Sequence, residues 1–168
     1  MKKKYQFAFV GLGSNMGQRL MYLRRAITLI QKADEIRVIH KSQIYVTSPM
    51  GPDQRDFYNA VIKIKTCFSP FQLLEKMQAI EVQLGRVRSV HWGPRVIDLD
   101  VLGYADQIIK SDLLTIPHPQ IHLRKFVLYP FLDVAPDWVL PGMNRSIAQL
   151  STELTDPDQK VRLLKINL

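Results

Sequence analysis

The fold can be predicted outward from residues 92–102, which read Trp92-Gly93-Pro94-Arg95-Val96-Ile97-Asp98-Leu99-Asp100-Val101-Leu102. The Gly-Pro pair near the start predicts a loop, because proline cannot donate a hydrogen bond to a sheet ladder. The alternating residues that follow predict a strand, since successive side chains of a strand point to opposite faces. One face of this strand is apolar, and the other carries Asp98 and Asp100.

Two carboxylates at positions i and i+2 of a strand have Cα atoms roughly 6.6 Å apart and can lean onto the same ions. Metal pairs in phosphoryl-transfer sites lie roughly 3.5–4 Å apart, so Asp98 and Asp100 could hold such a pair. Hard cations such as Mg²⁺ also offset the repulsion between two carboxylates. On this pattern alone, the solvated face of a half-buried strand is the simpler interpretation, because short motifs often arise by chance.

The composition indicates one globular domain with a sizeable core, since 46% of the 168 residues are hydrophobic. Lysines and arginines number 23 against 15 acidic residues, a net charge of +8. Such a surface attracts nucleic acid, anionic lipid or nucleotide phosphates alike.

The single Cys67 favours a reducing compartment. The apolar run after the N-terminal lysines ends at Gly11, too soon for a signal peptide or membrane span. We expect a soluble, cytoplasmic protein.

The rest of the chain predicts a mixture of strands and helices. Ser69, Pro70 and Gln72 mark the clearest helix start as a capping box with proline at the first position, and Gly85 is a plausible stop. Predicted strands lie at 5–11, 36–47, 56–65, 107–109 and 161–168, and predicted helices at 18–33, 70–84, 121–132 and 146–154. Residues 133–141 are predicted to be a loop.

The first predicted strand ends in a glycine-rich loop at 11–17. Glycine lets a backbone approach a ligand closely or turn with positive φ. The loop lacks the Lys-Ser/Thr ending of a P-loop. It therefore predicts either a phosphate cradle or a plain strand-to-helix turn.

Three arginines, Arg86, Arg88 and Arg95, lie directly before the aspartate pair. Guanidinium groups bind phosphate oxygens in a bidentate manner. They could contact a polyphosphate from one side while metal ions held by Asp98 and Asp100 contact it from the other. This combination favours phosphoryl transfer over a solvated strand face.

Three further features are ambiguous on pattern alone. Phe57 and Asn59 share a strand face, where they could bind a flat heterocycle or serve as a packed ring and a turn-forming amide. His118 between two prolines could be structural or could donate to a phosphate. Gln78 and Glu81 are an ordinary polar flank of the second predicted helix.

Taken together, these stretches resemble the 6-hydroxymethyl-7,8-dihydropterin pyrophosphokinase (HPPK) family of folate biosynthesis. The matching pieces appear in family order and cover nearly the whole chain, which implies one catalytic domain over residues 1–168. Arg-x-Arg followed by Trp-Gly-Pro-Arg and Asp-x-Asp is the most specific combination. The pieces are 11–15, 47–52, 57–61, 81–88, 92–100 and 116–118, with Arg124 and Phe126.

The resemblance implies an α+β fold with a ferredoxin-like core, a mainly antiparallel sheet and helices on both sides. It implies that ATP donates its two terminal phosphates together to the pterin hydroxymethyl group and releases AMP. Two Mg²⁺ ions would assist, held by Asp98 and Asp100. ATP and the pterin would be the only partners of a monomer, with no nucleic acid and no membrane.

The resemblance also implies the site residues, with Trp92 and the loop at Arg88 closing over the site. Phe57 stands where some relatives carry Tyr, and Pro119 replaces an aromatic residue of some members. The implied catalytic residues are Arg86, Arg95, Asp98 and Asp100. The implied ATP site comprises Gln78, Glu81, Arg86, Arg88, Trp92, Arg95, Ile97, Thr115, His118 and Arg124. The implied pterin site comprises Thr47, Ser48, Met50, Phe57, Asn59, Trp92, Asp98 and Phe126.

Two other classes compete with this interpretation. A basic nucleic-acid-binding module could have a similar layout, but the chain lacks an RRM-type aromatic cluster on a central strand. A pterin-binding relative without activity is the other, and the intact pair of Asp98 and Asp100 argues against it.

Overall fold

Strands and helices alternate along the chain, whose computed structural model describes residues 4–51, 53–87, 93–166 and 168. None of the helices in these ranges is long and apolar enough to cross a membrane. The strands are β1 (Gln6–Ser14), β2 (Ile36–Lys41), β3 (Ile44–Thr47), β4 (Phe57–Thr66), β5 (Asp98–Tyr104), β6 (Ile109–Lys110), β7 (Thr115–Ile116), β8 (Val139–Leu140), β9 (Arg145–Ser146) and β10 (Val161–Leu164). The helices are α1 (Arg19–Gln31), α2 (Pro70–Gln83), α3 (Lys125–Val134) and α4 (Ile147–Glu153), with a 3₁₀ turn at Ile121–Leu123.

An antiparallel six-stranded sheet in the order β10-β3-β4-β1-β5 organises the molecule, with β2 also paired to β4. Because β2 and β3 pair with successive stretches of β4, they act as one broken strand. With α1 after β1 and α2 after β4, the chain follows the β-α-β-β-α-β path of a ferredoxin-like core. The predicted α+β fold is confirmed.

Helices cover both faces of this sheet, as predicted. Along β1, Ala8, Val10 and Leu12 are buried in a core that includes the apolar faces of α1 and α2. Phe9 points to the opposite face and packs in a second core with Phe131 of α3. The period-two alternation of β1 therefore separates two apolar layers.

Helix α2 begins where the sequence predicts. The Ser69 hydroxyl accepts a hydrogen bond from the Gln72 N–H, and the Gln72 side chain accepts one from the Ser69 N–H. Gly85, just past the end, has a φ of +89°, a conformation that favours glycine. The helix is thus fixed at both ends beside β5, with which it packs.

Strand β1 is longer than predicted. The expected loop at 11–17 begins only after Ser14, because Gly13 and its neighbours pair with β4 on one side and β5 on the other. Gly13 lies opposite Asn59 and Asp98. Gly11 and Gly13 are therefore central strand residues rather than parts of a phosphate-cradling loop.

The predicted strand 36–47 is broken at Ser42. Its N–H donates to the Val61 carbonyl at 2.9 Å, and its Oγ accepts from the Val61 N–H, also at 2.9 Å. A side-chain oxygen thus takes the place of a backbone partner. The pairing register along β4 shifts between β2 and β3 as a result.

The predicted helix 121–132 is also divided. Arg124 has φ −126° and ψ 103°, an extended conformation between the 3₁₀ turn and α3. Other bounds shift by a few residues, which is the usual uncertainty at element ends. The strand expected at 107–109 is β6, the last strand ends at Leu164, and residues 133–141 include the end of α3 and strand β8.

We expect Gly103→Ala to destabilise the fold by about 1–3 kcal/mol through overpacking. A Cβ at Gly103 would lie 2.5 Å from Cη2 of Trp138, whose ring packs against Phe9 and Phe131. Urea unfolding measures the change. In a Trp138→Leu background the cost of Gly103→Ala should largely disappear, whereas additive effects would contradict this packing constraint.

Candidate active site

A cavity of about 690 Å³ opens on the sheet face that carries Gly11 and Gly13. Its walls come from β1, β4, β5, α2 and the segment around the 3₁₀ turn. Most of the predicted site residues meet here. Those that line it are Thr47, Ser48, Met50, Phe57, Asn59, Gln78, Glu81, Arg86, Arg95, Asp98, Asp100, His118, Arg124 and Phe126.

Two of the described site residues, Ile97 and Thr115, do not line this cavity. The Ile97 side chain is fully buried in the core on the α1 and α2 side. Thr115 lies on β7, paired with Lys110. Arg88 and Trp92 lie outside the described residues. A role for any of these four in ATP binding stays a prediction.

Asp98 is the centre of an ion-pair cluster. Its Oδ1 accepts from Nη1 of Arg86 at 2.5 Å, and its Oδ2 accepts from Nη1 of Arg95 at 2.7 Å. The same Arg86 nitrogen also donates to Glu81. Two guanidinium groups therefore flank the first carboxylate of the pair.

Glu81 ties α2 to the aspartate strand. Its Oε1 accepts a hydrogen bond from the N–H of Leu99, between the two aspartates, at 2.6 Å. Burial raises the pKa of Glu81 to about 6, against the lowering effects of this backbone bond and of Arg86. Glu81, a polar helix flank on pattern alone and an ATP-site residue by the resemblance, is thus placed to position β5.

Asp100 carries the most costly charge of the site. Burial, followed by the nearby carboxylates of Asp98 and Glu81, raises its pKa to about 7 against the opposing effects of Arg124 and Arg86. Burial lowers the pKa of Arg124, while Asp100 and Asp98 oppose that shift. The arginines of the site therefore offset only part of the cost of ionising Asp100.

His118 is held in one tautomer. Its backbone N–H donates to the Leu102 carbonyl at 2.8 Å, and its Nδ1 accepts from the N–H of Gln120 at 3.2 Å. Burial, followed by the nearby charge of Arg124, lowers the pKa of His118 to about 4. The imidazole is neutral at pH 7 and carries its proton on Nε2, where it can donate to a ligand.

The other end of the cavity combines aromatic and amide groups. The Asn59 side chain donates to Oγ1 of Thr47 at 2.7 Å and is 6% exposed. A Cβ at Gly13 would lie 2.9 Å from Oδ1 of Asn59, so only glycine leaves this amide in place. Phe57 and Phe126 supply ring surface in the same cavity.

Asn15 is the positioning residue that sequence reasoning missed. Its side-chain oxygen accepts from the Arg95 N–H at 2.8 Å, and its own N–H donates to the Arg95 carbonyl at 3.1 Å. Its amide nitrogen donates to Gln54 and to the carbonyl of Arg55. The partners of Asn15 lie 39 to 80 residues away in the sequence, so no local pattern indicates this role.

The comparison with protein families identifies the chain. The family model described as 7,8-dihydro-6-hydroxymethylpterin-pyrophosphokinase (HPPK) matches residues 9–136. A 2-amino-4-hydroxy-6-hydroxymethyldihydropteridine pyrophosphokinase of Haemophilus influenzae is 40% identical over 161 residues, which cover 95% of this chain and 98% of that protein. The protein of the same name from Bacillus subtilis is 44% identical over 128 residues, covering 76% and 77% respectively.

The fold is similar to that of a solved structure as well. A crystal structure of wild-type Plasmodium falciparum HPPK-DHPS with pterin and p-hydroxybenzoate aligns with a TM-score of 0.72 at 16% identity. The alignment covers 90% of this chain and 42% of that one, so the likeness concerns the fold of less than half of the larger protein. The family model and the two bacterial relatives show that this chain belongs to the HPPK family.

Proposed function

We propose how the residues of this cavity carry out the reaction of the HPPK family. As a member, the chain is an ATP-dependent pyrophosphokinase of folate biosynthesis. It transfers pyrophosphate from ATP to 6-hydroxymethyl-7,8-dihydropterin and releases AMP. The pterin hydroxyl must therefore lie in line with the β-phosphorus of ATP.

One observation carries the assignment of roles, namely the placement of both ends of the cavity on three adjacent strands. Asp98 on β5 is opposite Gly13 on β1, which is opposite Asn59 on β4. Strands lie about 4.8 Å apart, so the backbones of Asp98 and Asn59 are separated by roughly 10 Å. That spacing suits a two-ring heterocycle whose hydroxymethyl group points toward the carboxylates.

Arg86 and Arg95 form the phosphate-binding end in this proposal. Both donate to Asp98, yet each guanidinium has five N–H donors and can bond a phosphate oxygen at the same time. Their charges would offset the negative charge of the phosphates during transfer. Asn15 fixes the Arg95 backbone and so acts as a positioning residue.

The carboxylate pair fits Mg²⁺. Within the described ranges, no three His, Cys, Asp or Glu side chains come together as a metal site. Mg²⁺ commonly uses one or two carboxylates and completes its octahedron with phosphate oxygens and water. We propose that Asp98 and Asp100 hold two ions, which when bound polarise the phosphate oxygens. The high pKa of Asp100 supports this, because a nearby cation would relieve the repulsion that causes part of it.

The pterin end orients the nucleophile. Since Thr47 accepts from the amide nitrogen of Asn59, the Asn59 oxygen stays available as an acceptor for a pterin N–H. Phe57 and Phe126 offer ring surface to a planar heterocycle. Met50 and Ser48 complete this end of the cavity.

His118 acts as a neutral donor in this proposal. Its Nε2–H can bond a phosphate oxygen without adding positive charge, since its pKa is lowered to about 4. Arg124 supplies charge nearby, held with its Cζ 5.4 Å from the centroid of the Phe126 ring. The two residues therefore divide orientation and charge compensation between them.

We also propose that residues 1–168 work as a single catalytic domain and as a monomer in the cytoplasm, with two small-molecule substrates. The free Cys67 suits a reducing compartment. The family match over residues 9–136 supports one domain.

Incubation with Mg²⁺, ATP and 6-hydroxymethyl-7,8-dihydropterin should yield AMP and the pterin diphosphate, detected by chromatography. Asp98→Ala and Asp100→Ala should each lower kcat by at least about a hundredfold, because misplaced metal charge costs several kcal/mol in the transition state. Exposed Asp112→Ala is the matched control and should keep full activity. Pterin-dependent ADP, or near-normal turnover in both site variants, would contradict the assignment.

The substitution Asp100→Asn should stabilise the free protein. A carboxyl whose pKa is raised on folding binds more protons in the folded state, so its contribution to stability is lost as pH rises from about 4 through 7. Without Mg²⁺ we expect Asp100→Asn to raise the free energy of unfolding at pH 8 by about 1–3 kcal/mol. The gain should shrink toward pH 4. Urea unfolding across this range decides, and a pH-independent difference would contradict the raised pKa.

A further inference from the structure

A second cavity, of about 640 Å³, lies between α1 with the turn before it and the residues that precede and begin β4. We call it the arginine cavity. It shares no lining residue with the active-site cavity. Its lining contains four arginines and no Asp or Glu: Gly17, Gln18, Arg19, Leu20, Met21, Arg24, Arg25, Thr28, Arg55 and Tyr58.

Arg19 is fixed by two contacts. Its Cζ lies 3.7 Å from the centroid of the Tyr58 ring, and its Nη1 donates to the Asp56 carbonyl at 2.6 Å. A stacked guanidinium loses little further freedom when a ligand binds, so it is pre-organised for a planar, bidentate contact. The hydrogen bond to Asp56 uses one of its five N–H donors.

The Arg55 side chain extends from the segment before β4 to the turn before α1. Its Nη1 donates to the Gly17 carbonyl at 3.1 Å, while Arg19 from the helix reaches residue 56. Each of the two side chains therefore binds the backbone of the segment that carries the other. This arrangement holds both guanidinium groups at one cavity despite their mutual repulsion.

The lining of this cavity carries more basic than acidic side chains, with four arginines and no Asp or Glu. Burial lowers the pKa of Arg19, and the opposing effect of Tyr58 is countered in turn by the positive charge of Arg55. The charge of Asp56, which does not line the cavity, raises the pKa of Arg19. The first turn of α1 has no acidic residue, and Arg25 adds a further exposed guanidinium on the same helix.

We propose that the arginine cavity is a second anion site, separate from the catalytic centre, that binds a polyphosphate group. Guanidinium forks match the oxygen geometry of phosphate, and several charges on one ligand would compensate several arginines at once. A di- or triphosphate bridges Arg19, Arg25 and Arg55 without requiring metal. The site differs in chemistry from the catalytic one, where carboxylates accompany the arginines.

Residue-resolved NMR of the ¹⁵N-labelled full chain tests this proposal at constant ionic strength. Inorganic triphosphate should shift the amide resonances of Gly17, Arg25 and Arg55 in a saturable manner, independently of shifts in the catalytic cavity. Arg25→Gln and Arg55→Gln should each weaken this binding by about fivefold or more. Both side chains are exposed, so the fold should persist.

Arg37→Gln is the matched control. Arg37 also lies over a tyrosine ring, that of Tyr5, but it does not line the arginine cavity. This variant should leave the triphosphate-induced shifts at both cavities unchanged. Three results would overturn the proposal: no saturable shift, equal shifts with chloride, or affinity that is insensitive to both cavity variants. Shifts of the same amides by an RNA oligonucleotide but not by triphosphate would also overturn it, in favour of a macromolecular ligand.

Discussion

The repulsion between carboxylates that are partly or fully buried is the constraint on which the rest of this molecule depends. Asp98 and Asp100 project from one face of β5, and Glu81 approaches the same strand from α2 to bond the N–H of Leu99. Burial and these mutual charges raise the pKa of Asp100 to about 7. Arg86 and Arg95 compensate Asp98 directly. The free protein therefore maintains a site that a divalent cation and phosphates would complete.

The surrounding fold keeps this cluster in register with the end of the cavity that we propose binds the pterin. A glycine on the neighbouring strand, Gly13, leaves room for the Asn59 amide two strands away from Asp98. Asn15, just after that strand, bonds both backbone groups of Arg95. In the proposed mechanism the sheet thus sets the distance between the substrates, and the residue after β1 positions Arg95 to bind phosphate.

Sequence patterns predicted the parts of the fold that depend on local chemistry. The capping box at Ser69 and the alternation around Asp98 both predicted their elements correctly. The patterns failed where partners distant in the sequence determine the structure. Gly13 pairs with a strand far along the chain, and the Ser42 hydroxyl accepts the hydrogen bond that the Val61 N–H would otherwise donate to a backbone carbonyl. Most of the residues that the resemblance implied line one cavity, but the contacts of Asn15 with Arg95 are tertiary and are not revealed by spacing.

The most direct test of this account is an NMR titration of the Asp100 side-chain carboxyl carbon, with Asp112 as an exposed reference. In the free protein the Asp100 pKa should be near 7, as burial beside Asp98 requires. With Mg²⁺ and a non-hydrolysable ATP analogue it should fall by several units, because bound cations favour the ionised carboxylate. A pKa near 4 in the free protein, or one that nucleotide and Mg²⁺ leave unchanged, would contradict the claim that these carboxylates form the metal site.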